Sequence, residues 1–335
     1  MKNLEKELQN LFDQKAISNA FIRVGRYDDV LLEYSKSTNL ALDEYTLFDM
    51  ASVSKLFSVT QLSLIALDRK MLALDDKVSK FYDCDEELEI RHLLTHTWGI
   101  GHKNLCQENN TYDNIGEYIV SIPKDFPIGS RVKYSCPGFI LLGKILEKVY
   151  GDRLDVLFQK YVATPLGLTK TTYCPDVKSN TVVNANDTEE ERGIVNDYNC
   201  RFLGGIAGNA GLFSCAADLQ RLCQALLHYG EGLYSKETFL MAAQNYTPEM
   251  TESRGLGCVY VDSKYIRTGD LFPEGSIGHG GHTGQLLYVD YKTGLYAIIL
   301  TDLTKHNKNF KEIKYLLRGI SNAIKKDIEA EKTAE

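Results

Sequence analysis

The sequence predicts an α+β fold in which one antiparallel sheet, built from both ends of the chain, is flanked by helices. Strand-like segments lie near each terminus. One helix-like pattern precedes the first strands, and another follows the last strands. The middle of the chain, residues 75–246, is mostly helix-like with long polar loops. We therefore predict an α/β lobe made of residues 1–70 together with 250–335, and an inserted, mostly helical lobe of residues 71–249.

The N-terminal part of the α/β lobe begins with a predicted amphipathic helix. Its apolar stripe recurs at helical spacing and consists of Leu4, Leu8, Leu11 and Phe12. Residues 20–24 and 30–34 are predicted to be strands, and residues 26–29 between them have the composition of a hairpin turn. This part therefore contributes a helix and two paired strands.

The C-terminal part is predicted to add strands at residues 257–261, 285–289 and 295–300, with a turn at residues 290–294. A final helix is indicated by an apolar stripe of Phe310, Ile313, Leu316, Leu317, Ile320 and Ile324. The charged tail, residues 325–335, is expected to fray.

Ser52 and Lys55 are the most informative pair in the chain. Side chains three residues apart on a helix share a face, so this hydroxyl and this amine can reach each other. A buried ammonium is costly without a partner, and a desolvated lysine can act as the base that activates a serine. The helix should be buried, because the residues that follow are mostly apolar and include Leu56, Phe57, Val59, Leu62, Leu64, Ile65, Ala66 and Leu67.

The same Ser-x-x-Lys spacing occurs at Ser121 and at Ser130, where the context does not favour catalysis. Ser121 is followed closely by Pro123, and proline disfavours helix at the residue before it. Ser130 follows a turn-like Pro-Ile-Gly segment. We interpret these two copies as solvated hydroxyls beside surface lysines.

Two further segments have the composition of a site. Residues 133–138 (Lys-Tyr-Ser-Cys-Pro-Gly) precede an apolar helix, and residues 277–284 (Ile-Gly-His-Gly-Gly-His-Thr-Gly) precede a strand. Glycine permits close approach of the backbone to a ligand, and such a segment can aim backbone N–H groups at an oxyanion.

Six segments occur in a recognisable order: residues 52–55 (Ser-Val-Ser-Lys), 93–99 (Leu-Leu-Thr-His-Thr-Trp-Gly), 134–136 (Tyr-Ser-Cys), 165–168 (Pro-Leu-Gly-Leu), 211–214 (Gly-Leu-Phe-Ser) and 279–281 (His-Gly-Gly). This ordered set resembles the serine β-lactamase-like hydrolases, in the branch of class C β-lactamases, D-alanyl-D-alanine carboxypeptidases and related esterases. The resemblance covers residues 48–302. It implies the β-lactamase/transpeptidase-like fold and a hydrolase without a cofactor.

The resemblance implies a role for each site residue. Ser52 is expected to be the acylated nucleophile, while Lys55 and Tyr134 are expected to act together as general base and general acid. The backbone N–H groups of Ser52 and His282 are expected to form the oxyanion hole. Substrate-binding positions are expected at Cys136, His279, Gly280 and Gly281.

The chain departs from the family pattern at several positions. Cys136 stands where the family usually has Asn, an amide that helps hold the lysine and the substrate's own amide. A thiol does both poorly, so ester cleavage should suffer less than peptide or β-lactam turnover. Trp98 replaces a small residue, and is expected either to narrow the cleft or to pack. Asn196 and Asn209 occupy positions where histidine is common, and the sequence assigns them no role.

The general base is left open between Lys55 and Tyr134. The ordinary pKa values of lysine and tyrosine are about 10.4 and about 10, so either must fall by about three units to act as a base at neutral pH. Burial lowers the pKa of a lysine, and a nearby ammonium lowers that of a tyrosine. A neutral lysine no longer helps the tyrosine, so the pair should titrate as a unit.

Composition and motifs exclude several other classes. The net charge of −7 and the lack of a basic run argue against nucleic-acid binding. No stretch reaches the apolar length of a membrane span or a secretory signal, and the eight cysteines lack Cys-x-x-Cys spacing. We therefore expect a cytoplasmic protein with free thiols. His92 with His96, and His279 with His282, allow a metal hypothesis, but no carboxylate or thiol spacing supports it, and we predict no metal.

Two functional hypotheses follow. The first is a serine hydrolase that forms a covalent acyl-enzyme with a small-molecule or peptide substrate: an ester, a small amide, a D-residue peptide or a β-lactam. The second is a catalytically weak or inactive relative that binds a β-lactam-like or peptide-like ligand. The sequence predicts no oligomeric state.

Overall fold

The computed structural model describes residues 1–107, 109–264, 267–306 and 310–332. The strands are β1 Asn19–Arg26, β2 Asp29–Ser37, β3 Phe48–Asp49, β4 Thr172–Tyr173, β5 Leu212–Ser214, β6 Val259–Tyr260, β7 Ile277–Gly280, β8 Leu286–Asp290 and β9 Leu295–Thr301. The helices are α1 Lys2–Asp13, α2 Gln61–Asp68, α3 Ile90–Leu94, α4 Ile115–Ser121, α5 Cys136–Tyr150, α6 Leu154–Phe158, α7 Thr164–Leu166, α8 Tyr198–Phe202, α9 Ala216–Leu227, α10 Lys236–Ala242, α11 Leu303–His306 and α12 Phe310–Lys332. Shorter helical segments are the π-helical Lys55–Thr60 and Gln159–Ala163, and the 3₁₀ turns Val78–Lys80 and Glu189–Glu191.

The main sheet is antiparallel and has six strands in the order β2-β1-β9-β8-β7-β6. Strand β1 from the N-terminal part lies beside β9 from the C-terminal part, with Val24 opposite Ala297. Helices α1 and α12 belong to one apolar cluster with this sheet, in which Leu8 and Leu317 are fully buried. The predicted α+β fold, with a sheet made from both ends of the chain, is confirmed.

The structure corrects two local predictions. Strand β6 has two residues instead of the five predicted at 257–261. Helix α12 continues to Lys332, so the fraying predicted for the tail is wrong as far as that residue. The physical reason is Asp327, whose carboxylate accepts hydrogen bonds from the backbone N–H groups of Asn3 and Leu4 and so ties the end of α12 to the start of α1. The last three predicted tail residues lie outside the described part.

The helical part of the chain surrounds the segment that follows Ser52. Lys55–Thr60 and α2 together form a helix whose residues from 55 to 66 are all buried. A second sheet of three short strands, in the order β3-β5-β4, holds the residues just before Ser52. The strands of the main sheet lie within residues 19–37 and 259–301, and the lobe boundaries at 70/71 and 249/250 stay a prediction. No helix within the described ranges has the length and apolar character needed to span a bilayer.

Candidate active site

Ser52 follows a constrained turn at the end of β3. The residue before it, Ala51, has a φ of 43°, a left-handed conformation that is uncommon for a residue with a side chain. The carboxylate of Asp49 accepts a hydrogen bond from the Ala51 N–H at 2.8 Å, and the Asp49 carbonyl accepts one from the Thr283 hydroxyl, also at 2.8 Å. The turn is therefore tied to the C-terminal part of the chain, and it leaves Ser52 half-buried.

The Ser52 hydroxyl, the Lys55 amine and the Tyr134 phenol meet at one point. The Lys55 Nζ donates to Ser52 Oγ at 3.1 Å, and the Tyr134 hydroxyl donates to the same oxygen at 2.5 Å. Lys55 is fully buried, and its Nζ also donates to the backbone carbonyl of Asn209 at 2.8 Å. The structure thus brings together the three side chains that the sequence placed in one site.

The protonation of this pair differs from the sequence-based expectation. Burial lowers the pKa of Lys55, while negative charge on Cys136, Tyr134 or Asp197 raises it, and the net direction is above its ordinary value. Burial also raises the pKa of Tyr134, and the Lys55 ammonium only partly offsets that rise. The resting site therefore contains an ammonium and a neutral phenol, and neither pKa has moved toward that of a ready base.

Tyr134 is held in place through its neighbour Ser135, which is completely buried. The Ser135 N–H donates to Nδ1 of His96 at 3.1 Å, and its Oγ accepts from Nε1 of Trp98 at 2.9 Å. The same Oγ donates to the Gly101 carbonyl at 3.3 Å. The His96 ring also packs against the Tyr134 ring, with 4.7 Å between centroids. Segment 96–101 therefore fixes the phenol, and Trp98 packs rather than narrowing the cleft.

His96 is a buried neutral imidazole. Burial and the nearby Arg254 and Lys55 cations hold its pKa well below the ordinary value. A neutral ring with an unprotonated Nδ1 is what the hydrogen bond from Ser135 requires. His96 is therefore a core histidine whose Nδ1 is satisfied by a backbone N–H.

The glycine-rich segment predicted to lie beside the substrate forms β7 and the residues just after it. His279 is also neutral, because burial and the Lys55 and Arg254 cations hold its pKa well below the ordinary value. Its Nδ1 lies 2.9 Å from the Gly280 carbonyl, so that nitrogen carries the proton and Nε2 is left as an acceptor. Within the described ranges, Nε2 is buried without a hydrogen-bond partner.

His282 lies close to the turn that carries Ser52. A side chain on the neighbouring Gly281 would meet the Met50 carbonyl at 2.9 Å. The His282 carbonyl accepts a hydrogen bond from the Thr304 hydroxyl. In the described part of the chain, no residue accepts a hydrogen bond from the Ser52 N–H. The two segments whose N–H groups were assigned to the oxyanion hole therefore lie side by side.

Cys136 is the first residue of α5 and is buried against Lys55, with its Sγ 3.7 Å from Nζ. Burial raises the pKa of the thiol by more than the Lys55 ammonium lowers it, so the group is a neutral thiol at neutral pH. A neutral thiol is a weak acceptor. The lysine is therefore held mainly by the carbonyl of Asn209, a contact that the sequence did not predict.

Two arginines near β7 were also missed by the sequence analysis. The Arg254 guanidinium carbon lies 5.9 Å from the centre of the Tyr134 ring, and this buried side chain pairs with Glu252. The Arg267 guanidinium lies directly over Gly280, where it would meet any side chain. Both arginines lie in loops, where no periodic pattern reveals their burial.

Most of the chain matches a protein family. The family model described as Beta-lactamase covers residues 4–321. The chain belongs to the Beta-lactamase family. This confirms the resemblance noted in the sequence, and the protein is a hydrolase of the serine β-lactamase-like type.

Proteins similar to this chain are named for several activities. The putative D-alanyl-D-alanine carboxypeptidase of Escherichia coli K12 is 27% identical over 299 residues, covering 77% of this chain and 69% of that protein. Esterase EstB of Burkholderia gladioli is 26% identical over 361 residues, covering 90% of this chain and 91% of that protein. The solved Beta-Lactamase/D-Alanine Carboxypeptidase of Pseudomonas syringae has a TM-score of 0.77 at 18% identity, covering 95% of this chain and 97% of that chain. The last similarity supports the fold alone.

Proposed function

We propose that the protein is a serine acyl hydrolase that forms a covalent acyl-enzyme on Ser52. The observation that carries this proposal is the half-buried Ser52 Oγ, which receives hydrogen bonds from Lys55 at 3.1 Å and Tyr134 at 2.5 Å. A serine is a weak nucleophile unless neighbouring groups take its proton. Among the residues that the structure describes, these two groups form hydrogen bonds with the Ser52 hydroxyl and can exchange a proton with it.

In the proposed reaction, the Lys55–Tyr134 pair first loses one proton to solvent. Ser52 Oγ then attacks the carbonyl carbon of the substrate and loses its proton to that pair. The tetrahedral oxyanion is bound by the backbone N–H groups of Ser52 and His282. When the bond to the leaving group breaks, the pair returns the proton to that group. Water then attacks the ester on Ser52, with the same pair taking and returning the proton, and releases the carboxylic acid.

We infer that the preferred substrate is an ester or thioester that carries a carboxylate. Lys55, Arg254 and Arg267 are all close enough to His279 to lower its pKa, so the surroundings of β7 favour negative charge even with Glu252 paired to Arg254. The similarity to a putative D-alanyl-D-alanine carboxypeptidase, a class named for cleavage beside the free carboxyl end of a peptide, supports an anionic substrate. The thiol of Cys136 supports esters over amides, because it offers no carboxamide to a substrate amide.

Intact mass spectrometry after incubation with a nitrophenyl ester or a penicillin tests the acyl-enzyme. We expect an added acyl mass on the wild type and none on Ser52→Ala. The chain provides matched controls, because Ser121→Ala and Ser130→Ala remove exposed hydroxyls from the other two Ser-x-x-Lys copies and should leave acylation intact. An unmodified wild type with every donor would refute the proposal.

The preference for an anion is tested with one acyl group on two leaving groups. Phenylacetylglycyl thioglycolate carries a free carboxylate, and its methyl ester does not. We expect kcat/KM for the thioester with the free carboxylate to exceed that for its methyl ester by about tenfold or more. This is the size of effect expected for one charge-assisted contact. Equal kcat/KM values for the two thioesters would show that the cations near β7 do not bind a carboxylate of the substrate.

The second candidate function, a binding protein with little or no turnover, is favoured by Cys136 in place of the family's Asn. It predicts saturable binding of a penicillin without a mass change. The predicted cytoplasmic location stays a prediction, as do the small-molecule or peptide substrate and the lack of nucleic-acid and membrane partners.

A further inference from the structure

The buried ammonium of Lys55 lacks an ion-pair partner in direct contact. Its Nζ donates to Asn209 O, to Ser52 Oγ and, at 3.7 Å, to Cys136 Sγ. All three acceptors are uncharged, and within the described ranges no carboxylate forms an ion pair with this lysine. Burying a charge is costly unless opposite charge or strong dipoles compensate it. The compensation must therefore come from one step further away.

Asp197 lies one step further away. It caps the start of α8, where its Oδ1 accepts a hydrogen bond from the Cys200 N–H at 2.9 Å. The same oxygen accepts a hydrogen bond from the Asn209 Nδ2 at 2.9 Å. Asn209 therefore contacts the carboxylate through its side chain and the Lys55 ammonium through its backbone carbonyl.

We propose that Asp197 is a positioning residue for Lys55: it anchors Asn209 so that the carbonyl points at Nζ, and its negative charge favours the ammonium. The proposal rests on the proposed function, in which Lys55 exchanges a proton with Ser52. Nothing in it depends on which substrate the site takes.

The local packing makes Asn209 a rigid link. Asn209 is completely buried, and a side chain at the neighbouring Gly208 would collide with the Phe139 carbonyl, so the loop cannot shift toward α5. In the part of the chain that the structure describes, Asn209 Oδ1 is buried without a partner. The hydrogen bond from Nδ2 to Asp197 therefore fixes the direction in which the amide faces.

The departure at Cys136 increases the importance of this link. An Asn at that position would offer Lys55 a strong oxygen acceptor, whereas the thiol is weak and 3.7 Å away. With that anchor lost, the Asn209 carbonyl at 2.8 Å is the shortest contact of the ammonium. The charge of Asp197 adds to the same effect, since it raises the pKa of Lys55.

Two substitutions separate the charge of Asp197 from its hydrogen bonds. Asp197→Asn keeps an oxygen that can accept from Asn209 and Cys200 but removes the charge. Asp197→Ala removes both. A matched control is Asp68→Asn, because Asp68 also accepts a backbone N–H at a helix start, that of Ser235. Asp68 lies thirteen residues after Lys55 along one helix, or about 20 Å away.

The first measurement is the titration of Lys55 by NMR of ¹³Cε-lysine, with the signal assigned by Lys55→Arg. We expect the Lys55 pKa to fall by about one unit in both Asp197 variants, as for one charge several ångströms away in a partly buried site. The Asp68→Asn control should titrate like the wild type. An unchanged Lys55 pKa in Asp197→Asn would overturn the role of the charge.

The second measurement is the acylation rate in single-turnover experiments. We expect Asp197→Ala to acylate about 100-fold more slowly, since a small misplacement of a catalytic group has about this cost. Asp197→Asn should retain most of the rate, because it can keep Asn209 in place. Equal rates for Asp197→Ala and the wild type would overturn the positioning role.

The two readouts also keep the inference separate from the proposed function. A wild type that is never acylated refutes the function, but the NMR titration still tests whether Asp197 acts on Lys55. A purely structural role for Asp197 predicts a lower melting temperature with no change in the Lys55 pKa, which would contradict the inference.

Discussion

Asp49 should set the acidic side of the pH–activity profile. It is 1% exposed, and its two oxygens accept from the N–H groups of Ala51 at 2.8 Å and Asn196 at 2.7 Å. Burial raises its pKa to about 6; Asp197 adds to this rise, while the two N–H donors and Arg201 oppose it. Protonation places a hydroxyl where an N–H now points, which loosens the strained turn before the nucleophile. We therefore expect acylation to fall as the pH drops below about 6.

The magnitude follows from the difference between the two pKa values. The pKa is 3.8 in an ordinary setting and about 6 in the folded protein. A shift of about two units corresponds to about 3 kcal/mol. Because the folded state holds this proton more tightly than the unfolded chain, the Asp49 contribution to stability is fully present below about pH 4. It is lost as the pH rises through about 6.

Two assays check this prediction. Single-turnover release of nitrophenol between pH 4.5 and 8 should show a half-maximal acylation rate near pH 6 in the wild type, and Asp49→Asn should lack that step. Urea unfolding at pH 4.5 and pH 7 should show that the difference in unfolding free energy between wild type and variant changes with pH by about 2–3 kcal/mol. His96 and His279 titrate well below 6.5 and should not mask the step. A step near pH 6 that persists unchanged in Asp49→Asn would refute the reasoning.

Three further substitutions have defined outcomes. Tyr134→Phe should slow acylation by about 10²–10⁴-fold without unfolding the protein, measured as the nitrophenol burst with circular dichroism as the control. Cys136→Asn should raise amide turnover relative to ester turnover, measured with one acyl group on both leaving groups, because a carboxamide oxygen can reach Lys55; an unchanged ratio would contradict this. Ser135→Ala should lower the unfolding free energy by about 2–3 kcal/mol in urea, since it leaves the buried Trp98 Nε1 without its acceptor; a change below about 0.5 kcal/mol would show that water replaces the hydroxyl.

The sequence predicted the architecture because the apolar patterns of α1, β1, β2, β9 and α12 are long and regular. Local sequence pattern did not predict β7 as a strand, and only the family resemblance placed a strand beside the substrate there. Gly-His-Gly has low strand propensity, and this segment is a strand because β8 pairs with it along Ile277–Gly280. Tertiary pairing overrode local preference at the place where the backbone must approach a ligand.

In the site too, contacts between residues close in sequence could be predicted, whereas contacts made by the tertiary fold could not. Ser52 and Lys55 are close in sequence, so helix spacing alone brought them together. Tyr134 is 82 residues from Ser52; its segment was noticed by composition, but its role was assigned only through the family resemblance. The carbonyl of Asn209 could not be predicted from the residue type, because every residue has a backbone carbonyl and only the fold decides which one meets Lys55.

The raised pKa values of Lys55 and Tyr134 change how the site is understood. A requirement that one of them fall by about three units assumes a base prepared before the substrate arrives. The structure instead surrounds Ser52 and Tyr134 with positive charge from Lys55 and Arg254. Such charges act most strongly when negative charge develops on the serine, the phenol or the substrate oxygen. We infer that the site is arranged to stabilise the transition state, and that the base is the small fraction of the pair that has already lost one proton to solvent when the serine attacks.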